Sequence, residues 1–177
     1  MKTLKTTVLS AIALFFSVTM TQAQSEVTLD FPNADAALQL AQQHVQGWKD
    51  MDVPKLQKNL SAKAMIYGLG AGNDSLNLAQ HKDFLKESMQ TYTYNVTSEL
   101  YLPVKVTNNW NEGEWVLCWG LNTVTNRKTG KKSPVRYHTA ILTENGKEIV
   151  AVYYYYDTGD IMKSQGFTIT PPQKGGK

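Results

Sequence analysis

The chain has 177 residues and a single cysteine, and its formal charge of +3 falls to +1 once Lys2 and Lys5 of an N-terminal leader are set aside. One cysteine excludes an internal disulfide, so the fold must rest on an apolar core, and a near-neutral mature chain argues against nucleic acid as a partner. The leader is read from those two lysines, the apolar run Val8 to Val18 and the small-x-small pattern Thr21-Gln-Ala23. This is the pattern of a secretory signal peptide over residues 1–23, too short for a membrane span. It predicts export to a periplasmic or extracellular location, with about 154 residues left after cleavage, the size of one domain.

Residues 24–32 read as an extended lead-in to a single domain over 33–165. Asn33-Ala-Asp35 offers capping side chains, and Leu38, Ala41, Val45 and Trp48 then recur at helical spacing to about Lys49. His44 flanks that stripe one turn before Trp48. Asp52-Val-Pro-Lys55 restarts a short helix, with Asp as cap and Pro in the first turn. A short strand, Ala64–Tyr67, runs into the glycine-rich Gly68–Gly72, and Ser75–Gln90 predicts a third helix that buries Leu78, Phe84, Leu85 and Met89.

From Tyr92 onward the pattern is β. Tyr94–Val106 is a long strand whose Pro103 marks an edge or a bulge. Glu114–Thr125 and Val135–Thr143 follow, joined by the polar tip Arg127–Lys132. Glu144-Asn-Gly-Lys147 is a hairpin signal, because Asn-Gly accepts positive φ at both turn positions. The last strand, Lys147–Asp157, is β-branched and aromatic on both faces, which predicts cover on both sides and leads on to Gly159. Residues 166–177 read as a flexible tail. Helices gathered on one face of an antiparallel meander give an α+β fold, a curved sheet wrapped around the N-terminal helices as a cone with an internal pocket.

The element order, the spacing Trp48…Asp52…Leu56…Leu60, Gly113-Glu-Trp-Val116, the Asn145-Gly146 hairpin and the terminal Tyr-Tyr-Asp157 together resemble the nuclear transport factor 2-like superfamily, and within it the SnoaL-like branch. The resemblance covers about residues 33–165. It implies a cone with a pocket and a homodimer formed through the sheet. It leaves function open, since the superfamily holds isomerases, cyclases, dehydratases and epoxide hydrolases beside non-catalytic binding domains. The ketosteroid isomerase pattern is broken here. His44 stands for its helix tyrosine, Gly68 beside Tyr67 for its aspartate base, and His138 for its proton-donating aspartate. Without the base, steroid isomerisation is not expected.

Hairpin arithmetic addresses the pocket independently. With Asn145-Gly146 as a two-residue turn, His138 lies opposite Tyr153 and Arg136 opposite Tyr155. His138 then shares a face with Trp115, Leu117, Trp119, Tyr153 and Tyr155, and Cys118, Tyr137 and Tyr154 share the other. The pocket is expected on the first of these faces, completed by His44, Trp48 and Tyr67. A bulge at Lys147-Glu148 would instead bring Tyr154 and Tyr156 inward. His138 is the candidate general acid or base, the alternative being an imidazole that donates to a carbonyl or tyrosine and shapes the cavity. Asp157 either orients it or caps the following turn. Cys118, mid-strand, reads as a buried inert thiol.

Other constellations fall short. Gly68-x-Gly-x-Gly72 lacks a helix opening from the glycines and a βαβ unit, so no dinucleotide cofactor is expected. His44, His81 and His138 lack paired metal-ligand spacing, so no metal is expected. The leading expectation is an exported domain whose aromatic pocket holds a small, largely apolar molecule. The alternatives are a SnoaL-like lyase, isomerase or hydrolase that uses His138, and a structural dimerisation module.

Overall fold

The computed structural model describes residues 26–69, 75–168 and 170. The leader 1–23, Gly70 and Gly72 of the glycine-rich turn, and tail residues 171–177 lie outside the described residues. The elements are β1 (Glu26–Thr28), α1 (Ala34–Lys49), α2 (Val53–Gln57), β2 (Leu60–Tyr67), β3 (Ser75–Leu76), α3 (Leu78–Thr91), β4 (Tyr92–Thr107), β5 (Gly113–Asn126), β6 (Lys132–Glu144), β7 (Glu148–Tyr156) and α4 (Thr158–Gln165). The described strands form one sheet in the order β1-β4-β5-β6-β7-β2-β3. The meander β4 to β7 is antiparallel as expected, and β2 joins β7 in parallel.

Two boundaries differ from the sequence expectation. The helix expected from Ser75 starts at Leu78, because Ser75 and Leu76 pair with Tyr67 and Ile66. Asn77 then accepts from Gln80 N while the Gln80 side chain accepts from Asn77 N, a reciprocal capping box that sets the start. The segment after β7, to which the sequence reading assigns no element, is a helix. Asp157 caps α4 by accepting from Asp160 N at 3.0 Å, and Gly166 ends it at φ 99°.

α1 lies inside the curve of the sheet and is buried around more of its circumference than a one-sided stripe: Ala37, Leu40, Ala41, His44, Val45 and Trp48 are all covered. The concave face of the sheet meets it with Val116, Cys118, Ile141 and Val152, each fully buried. Cys118 is a free, buried thiol whose pKa burial pushes up, in keeping with an inert side chain. Bulges bend the sheet at Thr97/Leu100, where Ser98 takes φ 59°, and at Leu142/Thr143.

The register of the last hairpin decides what faces inward. Asn145 and Gly146 both have positive φ, at 52° and 62°, but Glu144 pairs with Glu148, so the loop holds one residue more than a two-residue turn. The bulge then pairs Thr143 with Ile149 and Leu142 with Ala151, a second slip of one. His138 therefore sits opposite Tyr155, not Tyr153. Two single slips restore the parity of the strand, so the expected partition into two sets of side chains holds while every cross-strand partner moves.

Candidate functional site

The cavity of the cone, about 310 Å³, opens between α1, α3, the concave face of β4 to β7 and α4. Its lining includes His44 and Trp48, as expected. The rest of the expected set is elsewhere. Tyr67, Trp115, Leu117, Trp119, His138, Tyr153 and Tyr155 are absent from the lining, which is made instead by the opposite set, Tyr137, Thr139, Tyr154 and Tyr156. Both faces of the sheet are apolar, so alternation sorts side chains into two groups without saying which one meets the helix.

Tyr154 is the polar centre of this cavity. Its hydroxyl lies 2.6 Å from His44 Nε2 and 3.0 Å from Trp48 Nε1. His44 Nδ1 lies 3.0 Å from the Leu56 carbonyl, which can only accept, so Nδ1 carries the proton and Nε2 is an acceptor. Tyr154 accordingly donates to His44 and accepts from the indole N–H. Burial holds the His44 pKa down at about 4, against the opposing pull of its bond to Leu56. Burial drives the Tyr154 phenol the other way, above its ordinary value, with the Trp48 bond opposing. Both groups are therefore neutral at neutral pH.

Two glycines make the geometry possible. A Cβ on Gly120 would come within 2.7 Å of Tyr137 Cε1 and Oη, so the bare backbone lets that ring fold down over the strand. Gly68 has φ 82°, and a Cβ there would stand 2.1 Å from the Tyr154 carbonyl oxygen. The position at which the isomerase resemblance expects an aspartate thus has no room for any side chain.

Around this centre the wall is apolar and aromatic. Tyr94 meets Trp48 edge to face at 5.0 Å, and its hydroxyl pairs closely with Ser88. Val45, Phe84, Val96, Val124 and Val135 line the cavity, and α4 contributes Ile161 and Met162. α4 is held to the sheet mainly by polar contacts: Gln165 Nε2 donates to Ser133 Oγ at 2.8 Å, and Lys131 Nζ to the Gln165 carbonyl at 2.9 Å. Among the described residues, no Asp, Glu, Lys or Arg lines the cavity.

His138 lies on the convex face, stacked between Trp119 at 4.9 Å and Tyr155 at 5.5 Å. Burial lowers its pKa. Tyr67 and Tyr153 stack at 4.3 Å beside Trp115 on the same face. Asp157 is engaged as the cap of α4. Among the described residues, no three His, Cys, Asp or Glu side chains form a group able to hold a metal.

Sequence reasoning missed Tyr94, Asn122, Tyr137 and the α4 residues, and reached Tyr154 and Tyr156 only through the bulge alternative. The hairpin carried no signal for them, because its two slips cancel and leave open which set of side chains meets the helix.

No family model and no curated protein sequence matches the chain. Solved structures do. An NTF2-like protein from Burkholderia xenovorans LB400 aligns with TM-score 0.57 at 13% identity, over 73% of this chain and 95% of its own. A SnoaL-like protein from Shewanella denitrificans OS-217 aligns with TM-score 0.54 at 14% identity, over 73% and 96%. The BvnE pinacolase from Penicillium brevicompactum aligns with TM-score 0.59 at 13% identity, over 73% and 91%. The chain therefore has the nuclear transport factor 2-like fold, and its structural neighbours include SnoaL-like proteins. At these identities the likeness speaks for the fold alone.

Proposed function

We propose that the chain is an exported domain that binds a small, neutral, largely apolar molecule inside the cone. The observation that carries this is the aromatic-lined cavity of about 310 Å³, with no Asp, Glu, Lys or Arg among its described lining residues and with hydroxyl, indole and imidazole groups converging at Tyr154. Acid-base chemistry at that centre is less well supported. A general acid or base works best with a pKa near ambient pH, whereas His44 and Tyr154 move away from neutrality in opposite directions. Chemistry through His138 would require a substrate on the convex face. The leader pattern of residues 1–23 supports export.

We also propose a homodimer through the convex face. Leu100, Leu102, Trp119 and Tyr155 are exposed there, a contiguous apolar area of the kind that marks an interface.

Titration of the purified chain with 2-methoxynaphthalene, followed by calorimetry, tests the binding function. Saturable one-to-one binding that is lost in Val124→Trp, which fills the cavity, is expected. Absence of saturable binding, or binding unchanged in Val124→Trp, would refute it.

A further inference from the structure

Of the described lining residues, three carry a side-chain nitrogen: His44, Trp48 and Asn122. Two of them are spent within the protein. His44 Nδ1 donates to the Leu56 carbonyl, its Nε2 accepts from Tyr154, and the Trp48 N–H donates to that same hydroxyl. Asn122 differs. It lies on β5 directly between the buried Val96 of β4 and Val135 of β6, and all three line the concave wall of the cavity. Its Oδ1 is buried without a partner among the described residues, while Nδ2 stays accessible and unbonded.

That arrangement turns a donor toward the cavity. Turned over, the amide would bury two N–H donors among the valines in place of one carbonyl oxygen, a larger loss. The lining hydroxyls set no comparable polarity. Those of Tyr154, Tyr94 and Tyr137 are engaged with His44, Ser88 and the Cys118 thiol, and those of Tyr156 and Thr158 can rotate to give or to accept. With no Asp, Glu, Lys or Arg among the described lining residues, an ionic guest finds no counter-charge. What fits Asn122 is a neutral acceptor.

Resting on the binding function proposed above, we infer that Asn122 Nδ2 is the donor that orients guests in the cavity and that its ligands are apolar molecules bearing a carbonyl, which brings no donor of its own. Such a guest places its apolar body against the valines and its oxygen on Nδ2. An analogue without the oxygen covers the same N–H, strips it of water and returns no bond, so the site discriminates against it.

The test compares 2-acetylnaphthalene with 2-isopropenylnaphthalene, which has the same shape with a methylene in place of the oxygen. Affinities of both are measured by calorimetry for the native chain, for Asn122→Val and for Asn122→Leu as a second variant. The cycle cancels the difference in hydrophobicity between the probes. The ratio of ketone to alkene affinity is expected to fall about fivefold in the variants, the size of one net hydrogen bond. Retained binding of the alkene shows that a variant is folded. A ratio unchanged in both variants overturns the assignment to Asn122 and leaves the cavity function standing, as does binding of 2-methoxynaphthalene with neither of these two probes. If none of the three binds the native chain, the cavity function and this inference fall together.

Discussion

The Tyr154 hydroxyl donates to His44 Nε2 across 2.6 Å, joining the last strand of the meander to the helix it encloses, 110 residues earlier in the chain. Because the Leu56 carbonyl fixes the imidazole tautomer and Trp48 fills the hydroxyl's acceptor site, the contact has a defined direction at both ends. It positions α1 within the cone and sets the polarity of the cavity together.

Tyr154→Phe should therefore destabilise the fold. It leaves His44 Nε2 and the Trp48 N–H unpaired in a buried site, a loss of about 1–3 kcal/mol. In a cycle with His44→Leu the two changes should be less than additive by about 1 kcal/mol, since each removes the same bond. Urea midpoints at constant m-value measure this, and strict additivity would contradict the pairing.

Stability should decline in mild acid. His44 and His81 are buried, with pKa values lowered from 6.5 to about 4 and about 3, chiefly by burial. Neither ring nitrogen of His81 has a partner among the described residues. The unfolded chain binds protons first, so this contribution is complete above pH 6.5 and is lost as pH falls toward 4 and 3. The slope is about 1.4 kcal/mol per pH unit for each ring. Unfolding free energies at pH 7, 6 and 5 should show it, and His81→Leu should remove about half the slope. A flat profile from pH 7 to 5 would count against the neutral buried rings.

Gly68→Ala should cost more than the roughly 1–2 kcal/mol of a left-handed backbone alone. The added methyl meets the Tyr154 carbonyl, a backbone atom of a central strand that cannot turn aside as a side chain would. A thermal shift no larger than that of an ordinary positive-φ substitution would show that β7 yields easily there.

Trp119→Glu should convert a dimer to a monomer in sedimentation at tens of micromolar while leaving 2-methoxynaphthalene binding unchanged. Trp119 is on the convex face beside His138, and the cavity is on the other side of the sheet. A native chain that sediments only as a monomer would end the dimer proposal.

Much of this architecture was legible in the chain. The meander strands, the Asn145-Gly146 turn and the pairing of His44 with Trp48 on one helix all follow from local pattern. The α4 helix was not, because its residues bury nothing fully and carry only a weak apolar stripe. It is fixed by the Asp157 cap and by contacts with Lys131 and Ser133, more than 30 residues earlier. Asn122 was invisible for a related reason. A polar residue in a strand reads as solvent-facing until its neighbours on both adjacent strands prove to be buried valines.

By itself the sequence determined which side chains travel together. Strand alternation sets Tyr153 and Tyr155 apart from Tyr154 and Tyr156, and two compensating slips in the hairpin preserve that division. The tertiary structure alone decided which group looks into the cone. Alternation has a period but no sign, and with apolar residues on both faces only the side on which α1 packs, and toward which the bulges bend the sheet, can supply one.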